Sequence, residues 1–87
     1  MQKTLLYKKN KIMMIEQSTN IGSSMINRVI YHFTTKKLKV EFNSGALYEY
    51  DNVDPTVYDN LCKAESQGKF FNEQIKNNYE HTQLLTD

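Results

Sequence analysis

Apolar and polar residues alternate most regularly over residues 38–50, L-K-V-E-F-N-S-G-A-L-Y-E-Y, on both sides of the triplet Asn43-Ser44-Gly45. A period of two marks a strand with one buried face, and glycine takes a positive φ at little steric cost. The stretch therefore predicts two strands joined by a tight turn. A further strand precedes it, because Val29, Tyr31 and Phe33 alternate with Arg28, Ile30 and His32, and residues 34–37 make a four-residue loop into Leu38. Antiparallel partners keep a constant index sum. Phe33 opposite Leu38 thus sets Tyr31 opposite Val40 and Val29 opposite Phe42, while Phe42 opposite Ala46 sets Val40 opposite Tyr48 and Leu38 opposite Tyr50. All these residues share one face. The other face pairs Lys39 with Glu49 and Glu41 with Leu47, and its apolar exceptions, Ile30 and Leu47, are candidates for a subunit interface.

Beyond the sheet the period changes. Asp54 is a good helix N-cap, and Pro55 at the first helical position has no N–H to leave unpaired. Val57, Leu61 and Ala64 form an apolar stripe flanked by Tyr58 and Cys62, and Gly68 suits the left-handed position that ends a helix. A second helix over residues 69–78 presents Phe71, Ile75 and then Tyr79 on one side. The expected architecture is α+β, a three-stranded antiparallel β-meander followed by two short helices packed on one face. Around it lie a turn-rich lead-in over residues 16–24 and a tail at 81–87 that shows no strong pattern and frays. The single domain spans 14–80. Residues 1–13 form a basic arm, disordered or adding a strand through residues 4–7, and Met13 and Met14 offer alternative translation starts.

At 87 residues a domain buries only roughly 60–65% of its unfolded surface, so self-association into a homo-oligomer would help it. No apolar run approaches the ~20 residues of a membrane span, and Leu5-Leu6-Tyr7 falls short of the ~7–15 apolar residues of a signal peptide, which points to a cytoplasmic protein away from membranes. The single Cys62 permits no internal disulfide and is expected to be a small buried hydrophobe. The formal charge of +1 hides an asymmetry: Lys3, Lys8, Lys9 and Lys11 lie in an arm without acids, leaving seven Lys/Arg against ten Asp/Glu from Met13 onward. A surface that grips a nucleic-acid backbone normally carries its basic excess on the domain.

No catalytic constellation stands out, since His32 and His81 are far apart and Cys62 has no His at a useful spacing; an enzyme is not expected, nor a metal or cofactor. The best ligand candidate is the turn Ser66-Gln67-Gly68-Lys69, where a hydroxyl, the positive end of a helix dipole and the charges of Lys69 and Lys76 make an anion site. Asn72, one turn on, either caps backbone groups or reads a ligand edge. Tyr48 and Tyr50 face the core in the register above, so packing comes first. If the hydroxyls of Tyr31, Tyr48 or Tyr50 emerge beside Ser24 and Lys69, they line a small aromatic and polar pocket.

Several segments together resemble the KTSC domain: S-S-M-I at 23–26, V-I-Y at 29–31, L-K-V-E-F-N-S-G at 38–45, Y-E-Y at 48–50, V-D-P-T-V-Y at 53–58 and G-K-F-F-N at 68–72. That family occurs at the C-terminus of some lysyl-tRNA synthetases and as standalone bacterial and phage proteins. Ile30 stands where a Gly often precedes the Tyr, and Asp54 where a Pro is common. The synthetase context implies RNA binding as one role. The residues themselves favour a binding protein for a phosphate-bearing, nucleotide-type small molecule, which in a phage would sequester a host defence signal. The abundance of Lys, Asn and Ile fits the AT-rich coding common in phages and in several bacterial groups. A third reading is a structural protein that mediates assembly.

Overall fold

The computed structural model of the chain describes residues 15–85. The arm expected at 1–13, with its strand over residues 4–7, lies outside the described residues. The described part is one antiparallel sheet of five strands in sequential order, with helices on one face: β1 (Glu16–Asn20), β2 (Ile26–His32), β3 (Lys37–Phe42), β4 (Leu47–Tyr50), α1 (Pro55–Lys63), α2 (Gln67–Phe70) running into a π-helical turn (Phe71–Ile75), and β5 (His81–Leu85). The α+β class holds. The strand count is five rather than three, because the lead-in and the tail both form edge strands. Residues E-Q-S-T-N and H-T-Q-L-L carry no apolar alternation because their side chains are almost all exposed. What recruits them is the free backbone edge of the meander, whose N–H and C=O groups need partners.

The β3–β4 hairpin has the expected register, Leu38↔Tyr50, Lys39↔Glu49, Val40↔Tyr48 and Glu41↔Leu47. Its turn is closed by Phe42 N–H to the Ala46 carbonyl at 2.9 Å, with Gly45 at φ 101°. The β2–β3 register differs from expectation by two residues: Tyr31 pairs with Leu38, Val29 with Val40 and His32 with Lys37. The loop is residues 33–36, closed by Lys36 N–H to the His32 carbonyl at 2.8 Å, and Lys36 takes the left-handed φ of 60°. Phe33 therefore leaves the strand, but it still packs edge-on to Tyr31 at 4.8 Å. A shift of two preserves which residues face inward. At the other end of β2 a bulge at Asn27 lets Ile26 pair with Phe42, so that Ile26 and Val29 both point into the core despite their odd spacing.

The core is Val29, Tyr31, Leu38, Val40 and Tyr50 from the sheet, covered by Tyr58 and Leu61 of α1 and by Phe71 and Ile75. Helix α1 begins at Pro55 as expected, but the Asp54 carboxylate does not cap it; it pairs instead with Lys36 at 3.6 Å. The helix stops at Ala64, which turns extended at φ −64°, ψ 142°. Gly68 is consequently not a left-handed terminator but a residue inside α2, with Ser66 as its N-cap. Its lack of a side chain serves packing, since a Cβ there would sit 3.0 Å from the Ser23 Oγ. On the outer face Glu49 pairs with Lys37 at 3.4 Å rather than with its cross-strand neighbour Lys39, and Lys37 also reaches Asp51 at 3.5 Å. These carboxylates, Glu49 foremost, raise the Lys37 ammonium above its usual range. No helix among the described residues is long and apolar enough to cross a membrane.

Candidate functional site

One end of the sheet is open. There the β1–β2 loop, the β3–β4 turn, α2 with its π-helical turn, and β5 surround two adjoining clefts of about 650 and 560 Å³ that share Ser24, Met25 and Asn72. The loop forming their common wall is held from three directions. Ser23 Oγ accepts from the N–H groups of Met25 at 3.0 Å and Ile26 at 3.3 Å; the Asn43 side-chain amide donates to the carbonyls of Ser23 at 3.2 Å and Ser24 at 2.8 Å; the Asn43 N–H reaches the Met25 carbonyl at 2.9 Å. Backbone polar groups that would otherwise need water are thereby satisfied, and the wall is preorganised.

The first cleft lies between this loop and the 65–69 turn and contains Ser66, Gly68 and Lys69. The Ser66 hydroxyl accepts from the Lys69 N–H at 3.4 Å, so it caps its own helix. Glu65 and Glu73 line the same cleft, and two carboxylates beside Lys69 oppose an anion there.

The second cleft differs in chemistry. Its floor is aromatic: Phe71 lies edge-on to Phe42 and Tyr50, each with centroids 5.5 Å away, and Tyr48 stacks against Tyr50 at 6.4 Å. Lys76, Asn72, Asn77 and Asn43 stand at its rim, and no Asp or Glu is among its described lining residues. Tyr50 is 3% exposed, and burial, followed by the nearby Tyr48, pushes its phenol up to about 12.

Of the residues expected to bind ligand, eight gather at this end: Ser66, Gly68 and Lys69 in the first cleft, Tyr48, Tyr50 and Lys76 in the second, Ser24 and Asn72 in both. Tyr31 does not join them. It is fully buried, its hydroxyl donates to the Val53 carbonyl, and its ring stacks on Tyr58 at 4.8 Å. Several lining residues escaped the sequence reading, among them Asn43 and Asn77 at the rim, Phe42 and Phe71 in the floor, and two residues of β5. His81 and Gln83 belong to β5, whose register places them opposite Tyr50 and Tyr48. The only signal for them was the proximity of a polar tail to a free sheet edge. Among the described residues no group of His, Cys, Asp or Glu is arranged to hold a metal ion.

Sheet and cleft together define a small α+β domain with an aromatic, preorganised cavity at one sheet end. The chain belongs to the KTSC domain family, whose profile matches residues 22–79. It is 41% identical over 61 residues to a lysine–tRNA ligase of Nostoc punctiforme, a match that covers 70% of this chain and 11% of that protein. The chain thus spans about a tenth of the length of its ligase relatives. A protein of Stutzerimonas stutzeri is 43% identical over 56 residues, which make up 64% of this chain and 79% of that one. The crystal structure of a KTSC domain protein from Yersinia pestis superposes with a TM-score of 0.76 at 26% identity, covering 80% of this chain and 99% of that one. Residues of the family segments 23–26, 38–45, 48–50 and 68–72 line the two clefts, the second of these through Phe42, Asn43 and Ser44, whereas 53–58 starts α1.

Proposed function

We propose that this domain is a non-enzymatic, cytoplasmic binding protein for a phosphate-bearing, nucleotide-type ligand, held in the second cleft. The observation that carries the reading is the pairing of an aromatic floor with a rim of amides and a lysine and no carboxylate lining. A base has a π-face that any aromatic floor accepts, and its edge needs amide partners. The phosphate then lies at Lys76, with Lys69 across Asn72 in the adjoining cleft as a secondary charge. This changes the order of importance suggested by the turn alone, because Glu65 and Glu73 flank Lys69. A phage-encoded copy of such a domain, assembled as a homo-oligomer, would act by sequestering a host defence signal. Thermal-shift screening with nucleotides tests the reading: the melting temperature rises with the bound member, and Lys76→Ala removes the rise more completely than Lys69→Ala. A full chain that shifts with no nucleotide sinks it.

The second reading is an RNA-binding accessory module. It is favoured by the four lysines at positions 3, 8, 9 and 11 and by the likeness to a lysine–tRNA ligase. RNA affinity that disappears in a chain starting at Met14, and falls steeply with salt in the full chain, would establish it over the first.

A further inference from the structure

Strand β5 begins just past residue 79, where the family match ends, yet it builds one wall of the aromatic cleft. Residues opposite each other in an antiparallel pair project to the same face. Tyr50↔His81 and Tyr48↔Gln83 therefore set the imidazole and the amide on the same side as the two tyrosines; the Gln83 Nε2 donates to the Leu85 carbonyl at 3.3 Å, which leaves its Oε1 and second N–H for the cleft it lines. The His81 ring lies 5.3 Å from Tyr50 and 5.6 Å from Tyr48, tilted by 36° and 44°. At these separations the three rings are in contact, so His81 extends the aromatic wall of Tyr48 and Tyr50 along the cleft. A register shift follows at once, with Leu47 opposite Leu85 and Leu84 the extra residue, and such a bulge fixes where the strand's side chains point. The strand is exposed along its whole length, so its inward polar side chains contribute little to the core.

We infer that β5 is the wall that selects the ligand: His81 continues the aromatic wall begun by Tyr48, against which one face of a planar heteroaromatic ring lies, and Gln83 hydrogen-bonds the ring's edge. The inference rests on the nucleotide reading and adds where discrimination between bases resides. An amide carries both donor and acceptor, and a site that hydrogen-bonds one ring edge discriminates against rings that lack the complementary groups. Lys76 recognises the phosphate, which all nucleotides share, and is indifferent to the base. Base selectivity is then supplied by a segment outside the family-matched region, and domains sharing residues 22–79 need not share a ligand.

The experiment is isothermal titration of the full 87-residue chain with AMP, GMP, CMP, UMP and inorganic phosphate as probes. His81→Ala, His81→Phe, Gln83→Ala and Lys76→Ala are titrated alongside, with melting curves to verify folding. Lys76→Ala is expected to weaken all four nucleotides by a similar factor. Gln83→Ala should weaken the preferred nucleotide most and flatten the ranking. His81→Ala should weaken every nucleotide by about tenfold, the scale of one lost stacking partner, and His81→Phe should restore most of that. If the wild type binds a nucleotide while the His81 and Gln83 variants keep its affinity and ranking, β5 is not the selecting wall and the nucleotide reading survives. If the wild type binds none of the nucleotides, both fall together.

Discussion

Two pairs of tyrosines pack over the same face of the sheet, one formed by Tyr31 of β2 with Tyr58 of α1 and the other by Tyr48 and Tyr50 of β4, and do opposite things. Tyr31 and Tyr58 stack at 4.8 Å with rings within 10° of parallel, and both hydroxyls are engaged, Tyr31 with the Val53 carbonyl and Tyr58 with Thr19 Oγ1 at 2.8 Å. Tyr48 and Tyr50 stack more loosely, at 6.4 Å and 22°, and their hydroxyls have no hydrogen-bond partner among the described residues. The first pair is the contact between the sheet and α1, closed off by the loop at Val53; the second borders the cleft lined by β5. A buried polar group left without a partner costs stability; the closed pair uses its hydroxyls internally, whereas in the open pair Tyr48 is half-buried and the buried Tyr50 ring borders the cleft.

The largest expected effect separates the two pairs by truncation. Tyr58→Ala removes a buried ring and should cost about 3–5 kcal/mol in urea unfolding, while Tyr48→Ala, half-buried at the cleft, should cost well under half of that. Equal losses would mean that the open end is as closely packed as the closed one.

Alkaline titration sharpens the comparison next. Burial is the first cause that pushes both Tyr58 and Tyr50 up to about 12 from 10.0, with the Thr19 hydrogen bond partly opposing it at Tyr58. Between pH 10 and 12 the unfolded chain has released these protons and the folded chain has not. Stability that is complete below pH 10 should therefore fall as pH rises through 12, by on the order of 2 kcal/mol for each group. Urea unfolding at stepped pH should show a shallower loss in Tyr58→Phe and in Tyr50→Phe than in the wild type; an unchanged slope in either removes that tyrosine from the account.

A smaller effect isolates the hydroxyls. Tyr31→Phe leaves the buried Val53 carbonyl without its partner and should cost about 1–2 kcal/mol, whereas Tyr48→Phe should change stability by less than about 0.5 kcal/mol. Smaller still, Gly45→Ala forces a side chain to φ 101° at the turn beside the open pair and should cost about 1 kcal/mol, read as a lower melting temperature with little change in the closed pair.

The closed end and the central hairpin were legible in the amino-acid pattern, and the reasons are specific. Asn43-Ser44-Gly45 pins the β3–β4 register because the turn needs one residue at φ 101°, which of the three glycine adopts without strain. The β2–β3 loop carried a misleading signal: Thr34 to Lys37 look like the loop, but Lys36 adopts the left-handed conformation that sequence preference assigns to Gly or Asn, moving the register by two. The bulge at Asn27 leaves no mark in composition. Edge strands β1 and β5 were invisible because exposed side chains need no alternation, and with β5 went His81 and Gln83. Tyr31 looked like a ligand residue because nothing in its neighbours announces that Val53, far along the chain, returns to take its hydroxyl. Ser24, Tyr48, Tyr50, Asn72 and Lys76 were legible for the converse reason: turn and helix periodicity alone bring them to one end.

The central claim is that the open tyrosine pair, and not the closed one, receives a nucleotide-type ligand. Its most direct test is an NMR titration of the labelled full chain with the nucleotide giving the largest thermal shift, following backbone and aromatic resonances. The account predicts perturbations concentrated at Tyr48, Tyr50, Asn72, Lys76 and His81, with Tyr31, Tyr58 and the outer-face residues Lys37 and Lys39 unmoved. Perturbations centred on the outer face or at Ser66 and Lys69, with Tyr48 and Tyr50 silent, would contradict it.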